Sequence, residues 1–215
     1  MNVSSAKENI LKKIRKALTQ STPIPFPQSE GSSSVFQPLQ QEIEIEFAEQ
    51  FTRLQGRFVF CVDYAEAALQ LKAIATANKW TKLYCKESAL VNTLSEQGFE
   101  GPEARDLEGC DAAITTCEFL VARTGSIVLS SAQQSGRTVS VYAPVHICVA
   151  TTDQLVYEVR EGLMKMKEKY AGQLPSMFTF ASGPSRTADI EKTLVVGVHG
   201  PKEVFVILVD QPPTV

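Results

Sequence analysis

The sequence predicts an α/β fold in which helices flank a mostly parallel, mixed sheet. Short apolar runs rich in β-branched or aromatic residues recur along the chain, and helical patterns separate several of them. Apolar residues are continuous within these runs, which is typical of strands covered on both faces. Closely spaced runs between 112 and 150 indicate a β-rich insertion with antiparallel pairing. The predicted strands lie at 58–62, 83–85, 112–114, 127–129, 139–141, 147–150, 177–180 and 204–209.

Residues 1–38 are predicted to form an appendage to an α/β domain at 39–215. Ile10, Ile14 and Leu18 recur at four-residue spacing among lysines and arginines, which is the pattern of a basic amphipathic helix. A stretch rich in proline, serine and glycine follows and predicts a linker without regular structure. We expect the helix to dock against the body of the protein or against a second subunit, and a membrane-surface or calmodulin-like role is the alternative. Docking against a second subunit leaves a homo-oligomer open.

Apolar residues at helical spacing predict further helices that alternate with the strands. In the last of these helices Asp153 is placed to cap the start, and several lysines near the end favour the helix dipole. The strand–helix–strand order implies right-handed crossovers in a parallel sheet. The predicted helices span 39–54, 64–77, 87–96 and 154–170.

Composition and charge narrow the location and the partners. Hydrophobic residues make up 44% of the 215 residues, which is enough for a substantial core. The net charge of -3 gives no global positive field for nucleic acid or an anionic membrane. No stretch approaches the roughly 18 apolar residues of a membrane span, and the N-terminus lacks the apolar core of a signal peptide. We expect a cytoplasmic protein that binds neither nucleic acid nor membrane.

The motifs of several common sites are missing. The 5 cysteines include no C-x-x-C pair and only 2 histidines occur, so neither a zinc site nor an iron–sulfur cluster has its ligand pattern. The sequence also lacks the G-x-S-x-G elbow, the P-loop and the G-x-G-x-x-G fingerprint. We expect buried, reduced cysteines, no metal or cofactor in this chain, and any redox metal in a partner.

One candidate ligand-binding loop follows the predicted strand at 177–180. Gly183 and Pro184 force a turn, and Ser185 or Thr187 could cap a short helix. Free N–H groups beside Arg186 would suit a phosphate or a carboxylate. The alternative is a structural turn in which Arg186 pairs with an acid. The loop reads Gly183-Pro184-Ser185-Arg186-Thr187-Ala188-Asp189-Ile190-Glu191, and Asp189 and Glu191 are the acids.

A second candidate loop, at 197–201, precedes the final strand. Gly197 and Gly200 would let the backbone approach a ligand closely. His199 could donate, accept or transfer a proton, although a lone histidine is often structural. If the two loops meet, His199 or Asp189 is placed for catalysis beside an anion held at Arg186.

The third candidate is the turn Thr124-Gly125-Ser126, which leads into the predicted strand at 127–129. Glu118 lies a few residues upstream and could act as a base or a nucleophile. Packing beside its apolar neighbours is the alternative for this carboxylate.

Together these motifs resemble the lactate-utilisation protein C family, or LUD domain family. The likeness rests on 183–191 and 197–201 in this order, with Thr-Gly-Ser at 124–126 and Pro-x-His at 144–146, and it extends over 42–210. The resemblance implies a fold similar to sugar-phosphate isomerases and CoA transferases. It also implies a role in oxidising L-lactate to pyruvate with partner subunits that carry iron–sulfur clusters. Family members often have glutamate before this turn, whereas this chain has Arg123.

The leading functional hypothesis is a non-redox subunit that holds a small carboxylate or a phosphate-bearing ligand. Arg186 and nearby N–H groups would bind it. A scaffold with no ligand of its own, which assembles the iron–sulfur partners through the N-terminal helix, is the first alternative. A CoA-transferase or phosphosugar type of enzyme that uses Glu118 is the second.

Overall fold

The computed structural model describes residues 5–19, 38–100, 104, 106–187 and 194–210. The chain divides into two compact units, 1–38 and 39–215. In the first unit a helix, α1, spans Ser5–Leu18, and its apolar residues Ile10, Ile14 and Leu18 are exposed. The predicted linker lies outside the described residues, apart from its last position. In the described part of the chain, no helix is long and apolar enough to cross a membrane.

The second unit contains the remaining helices and all the described strands. Its helices are α2 Ile43–Arg53, α3 Tyr64–Ala77, α4 Ser88–Glu96, α5 Val139–Tyr142 and α6 Val159–Lys169. Its strands up to α5 are β1 Arg57–Cys61, β2 Leu83–Cys85, β3 Ala112–Thr115, β4 Phe119–Val121 and β5 Ser126–Ser130. Those after it are β6 Val145–Thr151, β7 Leu155–Val156, β8 Phe178–Ala181, β9 Arg186–Thr187, β10 Val195–Val196 and β11 Glu203–Val209.

A five-stranded parallel sheet forms the centre of this unit, in the order β1-β11-β6-β3-β2. Its two central strands, β6 and β11, are 7 residues long and pair along their whole length. They are almost continuously apolar because both of their faces are covered. Ile147 and Ile207 are fully buried, and each contributes about 1.5–3 kcal/mol of hydrophobic stabilisation.

Different layers cover the two faces of this parallel sheet. Helices α3 and α4 pack on one face through residues such as Leu71 and Leu90. A second sheet, in the order β7-β4-β5-β8, packs on the other face together with α2, which contributes Phe47 and Phe51. Helix α6 covers the outer face of the second sheet through Met166. The antiparallel pairing of β4 with β5 and of β5 with β8 accounts for the closely spaced apolar runs in the sequence.

The connections create a topological switch point at the carboxyl ends of β2 and β3. The chain leaves β2 through α4 on the helical face, but it leaves β3 through β4 and β5 on the opposite face. Loops of neighbouring strands that diverge to opposite faces form a topological switch point, where α/β proteins commonly bind ligands. We call this region the switch-point crevice.

Two of the predicted elements are wrong. The run at 139–141 forms the short helix α5, because a run this short fits either state and only Val139 is buried, among Cys110 and Ala113. The helix predicted from 154 begins at Val159 instead. Leu155 is extended because it pairs with Leu120, so sheet pairing overrides the helical spacing.

The close approach of Gly125 to α2 generates a stability prediction. Gly125 has φ of 56°, and a Cβ there would lie 2.7 Å from the backbone nitrogen of Phe51. We expect Gly125→Ala to lower the free energy of unfolding by about 2–4 kcal/mol in urea titrations, through backbone strain and overlap with rigid backbone. Gly98→Ala is the matched control, since Gly98 has φ of 80° with nothing nearby, and it should cost about 1 kcal/mol. Equal losses in the two variants would contradict the proposed overlap.

Candidate functional site

The two glycine-containing loops lie side by side. The Ser185 amide donates to the carbonyl of Pro201 over 2.9 Å, and the Gly197 amide donates to the carbonyl of Ser185 over 3.0 Å. Strands β9 and β10 continue this contact as an antiparallel pair. A Cβ on Gly200 would lie 2.9 Å from the Cβ of Ser185, so the approach requires a glycine. The loops therefore form one surface, and they do so by consuming the amides of Ser185 and Gly197.

A cleft of about 480 Å³ opens beside the second loop, and we call it the histidine cleft. The exposed side chains of His199 and Lys202 line it, and so does the exposed Tyr142 at the end of α5. Gly197 lies under the stem of Lys202, since a Cβ there would be 2.2 Å from the Lys202 Cγ. The cleft is lined by Val141, Tyr142, Ala143, Pro144, Gly197, Val198, His199, Gly200 and Lys202.

The histidine cleft lies at the amino ends of the central strands. Pro144 comes directly before β6 and Lys202 directly before β11, and the Lys202 amide donates to the Pro144 carbonyl over 2.8 Å. Ligands of open α/β sheets usually bind at the opposite edge. The lining, not its position in the sheet, is what makes this cleft a candidate.

Arg186 closes the end of α2. Its guanidinium donates to the carbonyl of Leu54 over 2.5 Å and to the side-chain oxygen of Gln55 over 3.3 Å. A cation at a helix C-terminus satisfies carbonyls that lack an intrahelical partner. Gly183 approaches the same Leu54 carbonyl, to which a Cβ would be 2.5 Å away.

The part of the 183–191 loop that the structure describes contains no helix, and a helix capped by Thr187 would lie outside the described residues. Arg186 and Thr187 form β9, so the chain is extended where Ser185 was expected to start a helix. Pro184 is buried and Thr187 is half-buried. Asp189 and Glu191, the other predicted residues of the loop, lie outside the described residues.

The Thr-Gly-Ser turn is part of a hydroxyl chain. The Thr124 and Ser126 hydroxyls lie 2.8 Å apart, and the Ser126 hydroxyl lies 2.7 Å from that of Ser182, next to the first glycine loop. Arg123, which stands where the resembling family often has glutamate, pairs over 2.7 Å with the largely buried carboxylate of Glu158. The extra positive charge is thus neutralised locally.

Glu118 is a buried carboxylate at the switch-point crevice. It follows β3, and its oxygens accept hydrogen bonds from Ser130 over 2.5 Å, from Lys169 over 2.7 Å and from Tyr170 over 2.7 Å. Burial acts to raise the pKa of Glu118, but the hydrogen bonds from these three donors outweigh it and lower the pKa. The ionised Glu118 therefore ties the end of α6 to β5.

Glu87, at the same crevice, was missed in the sequence. Its buried carboxylate accepts from the amide of Thr116 over 3.0 Å, from the Thr116 hydroxyl, and from the Ser135 hydroxyl over 2.7 Å. Gln133 joins the two carboxylates, because its amide donates to the Thr116 hydroxyl and its oxygen accepts from the Ser130 amide. Its position in the sequence could have revealed it, because Glu87 and Thr116 both follow predicted parallel strands, whose carboxyl ends meet at one edge of the sheet.

The candidate catalytic residues do not share one site. Glu118 lies beyond the carboxyl end of β3, whereas His199 lies at the amino end of the neighbouring strands. A 7-residue strand such as β6 spans roughly 20 Å, which is too far for direct cooperation. Glu118 and His199 therefore belong to separate hypotheses.

The cysteines are reduced, and His146 is buried. All 5 cysteines are free thiols. The pKa of Cys148 is raised well above its ordinary value by a hydrogen bond with the Cys117 thiol and by burial. Burial lowers the pKa of His146 to about 4, and its ring contacts the Thr115 hydroxyl over 2.8 Å. Across the described ranges, no group of three His, Cys, Asp or Glu residues is placed to hold a metal ion.

Comparison with known proteins assigns the family. The model of the LUD domain matches residues 5–209. The chain belongs to the LUD domain family. The predicted resemblance is thereby confirmed.

Similar proteins include a lactate utilization protein C from Deinococcus radiodurans, 40% identical over 105 residues, or 48% of this chain and 49% of that protein. One from Shouchella clausii is 38% identical over 104 residues, or 48% of this chain and 45% of that protein. An uncharacterized protein from Neisseria meningitidis is 34% identical over 99 residues, or 46% of this chain and 42% of that protein. Each alignment spans about half of the relative's length.

A solved structure has a similar fold. The crystal structure of a DUF162 family protein from Deinococcus radiodurans superposes with a TM-score of 0.57 at 24% identity. The match covers 80% of this chain and 99% of that chain. Together with the observed strand order, it confirms the predicted α/β class with a mostly parallel central sheet. The narrower likeness to CoA transferases stays a prediction.

The ion pair at Glu118 generates a prediction about pH. Because the folded-state pKa lies below the ordinary value of 4.5, the stabilisation is complete above that pH and is lost as the pH falls through the folded value. We expect Glu118→Gln to cost about 1–3 kcal/mol at pH 7 in denaturant titrations, and progressively less as the pH falls through the folded-state pKa. The exposed Glu168→Gln on α6 is the control. A cost at Glu118 that does not change with pH would contradict the ion-pair account.

Proposed function

We propose that this LUD domain protein takes part in lactate utilisation and binds a small carboxylate or phosphate-bearing ligand in the histidine cleft. The names of its relatives support the pathway, although the chain spans only about half of their length. The lining of the cleft supports the ligand class. Lys202 supplies a positive charge there and His199 a group that can donate or accept a hydrogen bond.

The observation that carries the proposal is the joining of the two glycine loops. The Ser185–Pro201 and Gly197–Ser185 hydrogen bonds orient the second loop, and Gly197 lets the stem of Lys202 lie flat against it. Because those amides are already used, recognition of the anion falls mainly to side chains. Arg186 has a positioning role in this proposal, since it holds the adjacent end of α2.

The size of the cleft bears on the ligand. About 480 Å³ lies within the usual range of small-molecule sites, roughly 300–1,000 Å³, and exceeds what a three-carbon acid fills. Lactate or pyruvate would therefore bind together with water molecules. A larger molecule with an acidic end would fill more of the cleft. His199 is then the group placed to exchange a proton with the bound acid.

Calorimetry with L-lactate, pyruvate and inorganic phosphate tests this proposal. We expect Lys202→Gln to weaken binding about five- to tenfold, because one exposed, charge-assisted hydrogen bond is lost. The control is Lys167→Gln, which changes an exposed lysine on α6 that does not line the cleft. Equal binding by Lys202→Gln and the wild type would contradict the site.

Arg186→Gln separates the two roles considered for that residue. A positioning role predicts a lower midpoint of unfolding with binding per folded molecule unchanged. Direct contact with the ligand predicts weaker binding at unchanged stability.

In the proposed system, iron–sulfur clusters belong to partner subunits that act with this chain. An adaptor without its own ligand is the alternative. Two results together would favour the adaptor. No heat would be measured with any of the three ligands, and this chain would co-purify with iron–sulfur proteins of the same system.

A further inference from the structure

A second cleft of about 630 Å³ lies between α2 and β1, and we call it the α2–β1 groove. Strand β1 is at the edge of the parallel sheet and pairs only with β11 among the described strands. The groove is on the face of β1 that α2 covers, since Phe58 and Phe60 lie two residues apart on the same face of the strand and Phe58 packs with the apolar residues of α2. The groove is lined by Glu42, Glu44, Ile45, Ala48, Glu49, Phe58, Phe60, Thr152 and Asp210.

The floor of the groove is apolar and accessible. Ile45 is 46% exposed on α2 and Phe60 is 45% exposed on β1, and Ala48 and Phe58 also line the groove. Exposed large apolar side chains that form one patch commonly mark a protein contact.

Acidic side chains surround this floor. Four of the lining residues are acids and none is basic: Glu42, Glu44, Glu49 and Asp210. The nearby Arg53 pairs with Glu49 at 3.8 Å, a long and solvent-exposed contact that offsets little of this charge. Two copies of the groove facing each other would bring like charges together, so a basic occupant is favoured over symmetric pairing of the groove with itself.

Helix α1 has the complementary chemistry. Its exposed Ile10, Ile14 and Leu18 form an apolar stripe, and at 100° per residue Lys13 and Arg15 flank the two sides of that stripe. The stripe is roughly 12 Å long, and α2 and β1, which border the groove, are each roughly 16 Å long. The apolar stripe of α1 is therefore short enough to fit along the floor of the groove.

We infer that the α2–β1 groove binds helix α1 of a second copy of this chain. The apolar stripe covers Ile45 and Phe60, while Lys13 and Arg15 meet the acidic rim. Such an exchange of helices satisfies both grooves of a two-fold dimer at once. The dimer does not depend on the ligand proposed for the histidine cleft.

Sedimentation of the full-length protein over a range of concentrations tests the contact. We expect a reversible dimer whose dissociation constant rises at least about tenfold in Phe60→Asp and in Ile14→Asp, because either change buries a charge on the apolar floor. The control is Leu69→Asp, a residue 68% exposed on α3 outside the groove, which should leave the dimer unchanged. A wild type that is monomeric at all concentrations, or a dimer that survives both substitutions, would overturn the inference.

Charge reversal tests the pairing directly. A chain carrying Glu44→Lys and Glu49→Lys, and another carrying Lys13→Glu and Arg15→Glu, should each dimerise poorly. Mixing them should restore a dimer, since the helix of each chain then meets an oppositely charged groove on the other chain. Failure of the mixture to associate, when both variants are folded by circular dichroism, would overturn the pairing of α1 with the groove.

Discussion

The parallel pairing of β6 with β11 is the constraint on which the rest of the structure depends. All 7 residues of each strand are in register, and the pair is covered on both faces. Parallel neighbours need long crossovers, so everything between residues 151 and 203 must leave one end of β6 and return to the other end of β11. That path carries the chain across the second sheet and through both glycine loops before it enters β11.

The crossover also determines what lies at each edge of the sheet. Loops that follow β2 and β3 meet at the carboxyl edge, where Glu87 and Glu118 are buried with complete sets of donors. Loops that precede β6 and β11 meet at the amino edge and leave His199 and Lys202 exposed on a cleft. A buried carboxylate with three donors is stabilised where it lies, whereas the exposed side chains of His199 and Lys202 keep unused hydrogen-bonding capacity. This contrast favours the histidine cleft for binding and the crevice for cohesion.

The C-terminal end of α2 contacts both the Thr-Gly-Ser turn and the first glycine loop. Gly125 and Gly183 approach the backbone of α2, and Arg186 bonds to the carbonyl that follows it. Gly183 and Arg186, which suggest an anion-binding loop in the sequence, therefore contact the end of α2 instead. Helix α2 also supplies one wall of the α2–β1 groove. Its placement therefore affects that groove as well as the glycine loops.

The sequence by itself determined the fold class, most element positions and the kinship with the LUD domain family, because continuous apolar runs and glycine motifs are local signals. Helix α3 at 64–77 is an example, since the spacing of its apolar residues is a local signal and the observed helix has the predicted bounds. The partners of Arg186 and Glu118, the missed Glu87 and the extended state of Leu155 were decided only by tertiary structure. Each depends on residues that are distant in the chain, Leu54 for Arg186, Lys169 for Glu118, Ser135 for Glu87 and Leu120 for Leu155, and no local pattern encodes which distant group will arrive.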